Sequence, residues 1–280
     1  MNKNMIQRLI HRIMAMAAIA VLLVSCRQDE WFEPSPVARE GYVALRFSAD
    51  IPAMEKVTTR AVDPDGGGVQ DMTLFCFDSY GLFITTVTAD VSPSSVSTGV
   101  FQAEVPENTR TVHFVANQVM TEFQQDHFRN KSESEVMALL EGSSGRMIYW
   151  ARFACDNTNE EMKKKSIADQ MTSAGNSIKM LRNHAKVSVL NPKENGHFIV
   201  TGFAVYNTSA FGTVAPFHPE KGFNFTEDDW TADDFVTLPS NNAKLSDITD
   251  VTINTEQYIF ECENRADDPV SIILRGHNNG

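Results

Sequence analysis

The sequence predicts an all-β protein of two β-sandwich domains, with one short helix inserted in the first. Three observations carry this expectation. Apolar residues alternate with less apolar ones over many short runs, the period-2 signature of strands. Turn-forming residues punctuate the runs, and strands follow one another without intervening long helices, which favours a sandwich over a βαβ fold. The chain has 280 residues, 42% of them hydrophobic and 21% charged. That is about two domains of roughly 150 residues, and too apolar a composition for a disordered chain.

Before the fold comes an address. Lys3, Arg8 and Arg12 form a basic stretch without an acid, and Ile13 to Val24 is a continuous apolar run. The run is shorter than the roughly 20 residues of a membrane-spanning helix and matches the apolar region of a signal peptide. It ends in Leu23-Val24-Ser25-Cys26, which resembles a bacterial lipobox. In such signals the peptide is cut before the cysteine, and the cysteine is acylated. Residues 1–25 are therefore expected to be removed and Cys26 to carry the lipid. Each buried acyl methylene contributes roughly 0.8 kcal/mol, so several chains anchor stably to a membrane surface. Residues 26–40, polar and interrupted by Pro34 and Pro36, read as a tether.

The first domain is expected over 41–177. Val43, Leu45 and Phe47 alternate as one face of a strand that Pro52 ends. Residues 55–68 carry Pro64 and Gly66-Gly67-Gly68 and read as an exposed loop. Met72 to Asp78, apolar on both faces, and Leu82 to Thr88 flank the turn signal Asp78-Ser79-Tyr80-Gly81, a hairpin. Phe101, Ala103 and Val105 alternate, Pro106-Glu107-Asn108 turns the chain, and Val112, Phe114 and Ala116 alternate again. Ser132 and Glu135 resemble a capping box, with Val136, Leu139 and Leu140 at helical spacing and Gly142 as the stop. Residues 160–165 (EEMKKK) read as a solvated loop.

The second domain is expected over 178–280, with strands at 186–190, 197–206, 258–262 and 270–275 and a polar excursion over 207–250. Gly276 to Gly280 reads as a turn whose return strand is missing, leaving an unpaired apolar edge. The second domain is accordingly expected to be incomplete, a truncated product or gene fragment.

Chemistry-bearing motifs are sparse. The formal charge of −12 lacks the basic footprint of a general nucleic-acid binder. Cys26, Cys76, Cys155 and Cys262 contain no CxxC pair, and the last three read as small buried hydrophobes. No two of the seven histidines have metal-ligand spacing, and they read as surface or loop residues. Asp228-Asp229 and Asp233-Asp234 lack the EF-hand pattern. No GxSxG, P-loop or dinucleotide-binding glycine pattern appears. No catalytic residue, metal or cofactor is assigned. Tyr149, Trp150 and Trp230 could stack on sugars but read as packing aromatics.

Four features together resemble the Bacteroidales fimbrillins, the subunits of the type V pilus. They are the lipobox at Cys26; Thr58-Thr59-Arg60-Ala61 in a loop before the 69–84 hairpin; Met180 to Val189 followed by Phe203 to Asn207; and 258–264 with the 272–276 strand. Arg27-Gln28-Asp29-Glu30 also resembles the surface-export signal of Bacteroidota lipoproteins. The resemblance implies two transthyretin-like Greek-key sandwiches and export to the outer membrane as a palmitoylated lipoprotein. It implies cleavage after an arginine that removes the first strand, and a donor strand from another subunit in the open groove. Carried onto this sequence, the scissile bond is Arg60-Ala61, and the displaced strand holds Val43, Leu45 and Phe47. A loop arginine flanked by Gly and Pro is where a protease could reach the backbone. The expected role is a non-enzymatic structural or adhesive subunit of the fimbrium. Its partners would be other fimbrial subunits, the outer membrane through the lipid, and host or bacterial surface ligands, with no nucleic acid. The alternative is a surface glycan-binding lipoprotein of a nutrient-uptake system.

Overall fold

A computed structural model of the chain describes residues 38–50, 69, 71–91, 100–118, 122–142, 147–189, 197–208, 212–217, 221–223, 249–250, 256–260, 266–267 and 269–278. The signal peptide, Cys26, most of the tether, the Arg60-Ala61 bond, Cys262, Trp31, Trp230 and the paired aspartates lie outside the described residues.

In chain order the elements begin with β1 (Tyr42–Asp50), β2 (Met72–Phe77), β3 (Phe83–Thr88), β4 (Asp90–Val91), β5 (Val100–Pro106) and β6 (Thr111–Ala116). Then come α1 (Glu122–Phe128), α2 (Glu133–Ala138), β7 (Glu141–Gly142), β8 (Tyr149–Ala154), α3 (Glu160–Lys164) and α4 (Ile167–Ser173). The remainder is β9 (Ser177–Lys179), β10 (Leu181–Arg182), β11 (His184–Ser188), β12 (Phe198–Tyr206), β13 (Gly212–Thr213), β14 (Thr249–Asp250), β15 (Glu256–Phe260) and β16 (Ser271–Asn278).

The fold is an all-β sandwich. A four-stranded sheet, β4-β5-β1-β9, faces a five-stranded sheet, β10-β8-β6-β2-β3. Period-2 alternation sends one face of each strand inward. Leu45, Phe47, Phe101, Leu74, Phe114 and Tyr149 meet there in the main core. The outer face of the five-stranded sheet is also covered. Phe75, Phe77, Val115 and Trp150 pack beneath Val136 and Met137 of α2 in a second apolar cluster. This is why β2 and β6 are buried along their whole length. The hairpin is as expected: Asp78 Oδ1 accepts from the Tyr80 and Leu82 amides, and Gly81 turns the chain at φ +73°.

Further along, β11 pairs with β15, and β12 lies between β14 and β16. β9 pairs parallel with β1, and β10 pairs with β8. These pairings hold Ser177–Lys179 and Leu181–Arg182 in the first sandwich.

Among the described residues four helices stand where one was expected. α2 has the anticipated capping box, Ser132 with Glu135, but ends with Leu139 as its C-cap, and Gly142 lies in β7 instead of stopping the helix. α3 occupies the expected loop at 160–165; it is capped by the Asn159 side chain and buries no residue, so no apolar stripe announces it. β16 continues through Gly276 to Asn278, paired with β12, where a turn was expected. Strand pairing fixes those residues before the Asn-Gly signal can bend them.

Candidate functional site

Of the expected site residues, Val43, Leu45 and Phe47 are described, and all three lie on β1. Tyr42 to Ser48 pair antiparallel with Pro106 to Val100 of β5. On the other edge only Ser48, Ala49 and Asp50 have a strand partner among the described residues, the parallel β9. Further bonds fasten that end: the Ser48 amide donates to the Asn176 carbonyl (2.8 Å), and the Met180 amide to the Asp50 carbonyl (2.8 Å). Among the described residues Tyr42 to Phe47 are therefore laddered by β5 alone, Ser48 by both strands, and Ala49 and Asp50 by β9 alone.

The side chains carry the attachment. Leu45, Phe47 and Ala49 are buried, and Val43 packs half-buried against the same core. Phe47 stacks on Phe101 with ring centroids 5.6 Å apart and meets Phe114 edge-on at 4.8 Å. Fully burying a side chain of this kind contributes roughly 1.5–3 kcal/mol. Lifting β1 away would uncover an apolar groove floored by Phe101, Ala103, Val105 and Phe114, beside the bare β5 edge. An edge of unpaired amides and carbonyls with apolar pockets at alternate positions is a template for an added strand.

A second constellation was missing from the sequence expectations, which put the histidines at the surface. His113 is fully buried on the outer face of β6. Its Nδ1 accepts from Trp150 Nε1 (3.0 Å), and its Nε2 lies 2.9 Å from Glu133 Oε1. An indole nitrogen can only donate, so the imidazole proton sits on Nε2 and is donated to Glu133. Arg152 forks onto Glu133, Nε to Oε1 and Nη2 to Oε2 (3.2 Å). Burial pushes the Glu133 carboxyl up, but the hydrogen bonds and charges of His113 and Arg152 outweigh it and hold it at about 2. Burial dominates at His113 and lowers its pKa, against the pull of Glu133. His184 is buried too, against Phe260 at 4.1 Å, and burial lowers it to about 4. Neither ring nitrogen of His184 has a hydrogen-bond partner among the described residues. The signal for His113 was available in principle: it interrupts the apolar run Val112 to Ala116, which β6 buries on both faces.

Among the described residues neither free cysteine is arranged for nucleophilic or redox chemistry. Cys76 and Cys155 are free and buried, and burial raises them to about 12 and about 11. A thiol in that state is inert. Among the described residues no group of three or more His, Cys, Asp or Glu could hold a metal ion, and no described helix is long and apolar enough to cross a membrane. Tyr149 and Trp150 are buried in the two apolar clusters, as their packing role predicts.

No family model matches the chain. Over 225 residues it is 28% identical to the major fimbrium tip subunit FimE of Porphyromonas gingivalis, an alignment covering 79% of this chain and 36% of that protein. The chain thus spans about a third of the length of the curated relatives it matches. Among solved structures, it is similar to a candidate cell adhesion protein from Parabacteroides distasonis ATCC 8503. That match has a TM-score of 0.54 and 12% identity, and covers 84% of this chain and 75% of the other. The truncated tip fimbrial protein Mfa3 of Porphyromonas gingivalis aligns at a TM-score of 0.45 with 14% identity, over 85% of this chain and 83% of that one. The resemblance to Bacteroidales fimbrial proteins read from the sequence is shared by the curated relative, which is named as a fimbrium tip subunit and not as an enzyme, and the Parabacteroides structure shares the fold.

Proposed function

We infer that the chain is a structural, adhesive subunit of a bacterial surface fimbrium, assembled by exchange of its first strand. The observation that carries this reading is the geometry of β1: an amino-terminal strand that supplies Leu45 and Phe47 to the core but, among the described residues, is laddered along most of its length by β5 alone. Similarity to a fimbrium tip subunit supports the same role and favours the tip.

In this reading the chain reaches the outer membrane as a lipoprotein acylated at Cys26. Cleavage of Arg60-Ala61 releases the segment that contains β1, and a strand donated by another subunit restores the ladder with β5 and fills the positions of Val43, Leu45 and Phe47. In the same reading two domains, 41–177 and 178–280, divide the body of the molecule. The adhesive surface would meet host or bacterial ligands.

The test is the mature amino terminus of surface-extracted protein, read by mass spectrometry. The expected chain begins at unmodified Ala61 in assembled material, and an Arg60→Ala variant keeps acylated Cys26 and fails to enter polymers. Assembled fimbriae in which every copy of this chain still begins at Cys26 would exclude strand removal.

A further inference from the structure

Residues 212–217 and 221–223, which fall in the expected polar excursion, instead cross onto the outer face of the first sandwich. Gly212 and Thr213 of β13 pair with Gly142 and Glu141 of β7. Asn183 stitches the crossing: its Nδ2 donates to the Thr213 carbonyl (3.4 Å), and its Oδ1 accepts from the Ile148 amide (3.2 Å). Val214 and Ala215 are buried in the second apolar cluster. Gly222, at φ +61°, turns the chain so that Phe223 lands edge-on against His113, ring centroids 4.8 Å apart. Trp150 lies 6.2 Å from the same ring, the Arg152 guanidinium 6.0 Å, and Phe217 5.1 Å.

We propose that this strap is an acid-releasable clasp on the outer face of the first sandwich, with His113 as its proton-sensitive seat. The argument is the fixed tautomer. In the closed clasp His113 Nδ1 accepts from Trp150, so the only place for a second proton is that same nitrogen. Protonation sets one N–H against another and breaks the bond that orients the indole. Phe223 rests on both rings and loses its seat. Among the described residues the charged groups facing His113 are Glu133 from α2 and Arg152 from β8. Phe77 from β2, Trp150 from β8 and Phe223 from the strap bring no charge. Glu133 and Arg152 bind each other through two hydrogen bonds, so the cluster keeps its ion pair while the histidine titrates.

The direction follows by linkage. Once the strap opens, His113 meets water and binds a proton near its ordinary pKa, whereas the closed form resists it. Acid therefore favours the open form, by about tenfold per pH unit below roughly 6.5 for one such proton. The clasp does not rest on strand release, since no β1 residue belongs to the second cluster.

Hydrogen exchange of the full chain, corrected for the intrinsic pH dependence of exchange, tests the clasp. Peptides covering 212–217 are expected to lose protection by about tenfold per pH unit below pH ~6.5, while β5 and β6 keep theirs. His113→Asn retains an acceptor for Trp150 but cannot take the proton, so its slope falls by about one decade per pH unit. His184, lowered to about 4 at the other end against Phe260, adds its own proton linkage between about 6.5 and 4, so the slope lost in the variant is the measure. Phe223→Ala should loosen 212–217 at pH 7 as acid does in the unsubstituted chain. An unchanged slope in His113→Asn overturns the proposal, as does simultaneous loss of protection in the strap, β5 and β6. If His113→Asn does not fold, full protection of 212–217 in Phe223→Ala overturns it alone.

Discussion

Phe47 concentrates the attachment of β1 in one ring, held between Phe101 and Phe114. Phe47→Ala should cost about 3–5 kcal/mol, as large-to-small changes of buried aromatics do, read as a lower urea midpoint at constant slope. His184 gives the opposite case. Its buried nitrogens lack partners among the described residues, and burial holds its pKa at about 4. Between about pH 6.5 and 4 the unfolded chain binds a proton that the native His184 refuses, so acidification removes up to ~1.4 kcal/mol per pH unit through this residue alone. His184→Leu should therefore be near neutral at pH 7 and flatten the pH dependence of urea unfolding by that slope. Glu133 acts lower on the scale. Its carboxyl, held at about 2, adds stability that is complete above about pH 4.5 and lost as pH falls toward 2. Val43, Leu45 and Phe47 were legible because a half-buried strand writes its inward face at every second position. His113 was not, because the Glu133 and Arg152 that make its burial tolerable arrive from other elements.

Strands announce themselves through alternation, and β1, the β2–β3 hairpin, β5 and β6 were readable for that reason. Short helices announce themselves through caps. The Ser132–Glu135 box of α2 is legible in the sequence, whereas the equivalent Ser166–Asp169 box of α4 is not, although Ile167 and Met171 are buried one turn apart behind it. The shorter Asp is a weaker cue than Glu, and two apolar positions do not make a visible stripe. Ser132→Ala should cost about 1 kcal/mol, measurable by urea unfolding. β1 offers a test at its own scale. In protein from which the segment up to Arg60 has been cut, a peptide with the Tyr42–Asp50 sequence should bind and restore thermal stability. The same peptide carrying Phe47→Asp should not, because a carboxylate cannot enter the pocket between Phe101 and Phe114 without a partner.

Across the whole molecule, the five-stranded sheet is packed on both faces, and β1 contributes to only one of the two apolar clusters. Removing β1 should therefore leave amide protection at Phe75, Val115 and Trp150 largely intact while it collapses at Phe101 and Val105, a contrast that hydrogen exchange can read directly. The all-β sandwich was readable from strand spacing, but the crossing of residues 212–217 and 221–223 was not. Their surroundings in sequence are polar, and only tertiary contact shows that Val214 and Ala215 are core residues. The pairing of β1 also sets a direction. Its end is antiparallel to β5 and parallel to β9 at once. A reversed strand would be parallel to the first and antiparallel to the second, with a different hydrogen-bond pattern on both sides. The slot thus distinguishes the two senses of an incoming chain. Copies joined through such slots meet head to tail, not about a two-fold axis. Any filament built this way is polar: one terminus shows an empty slot, the other an unused strand, and growth at the two termini follows different chemistry.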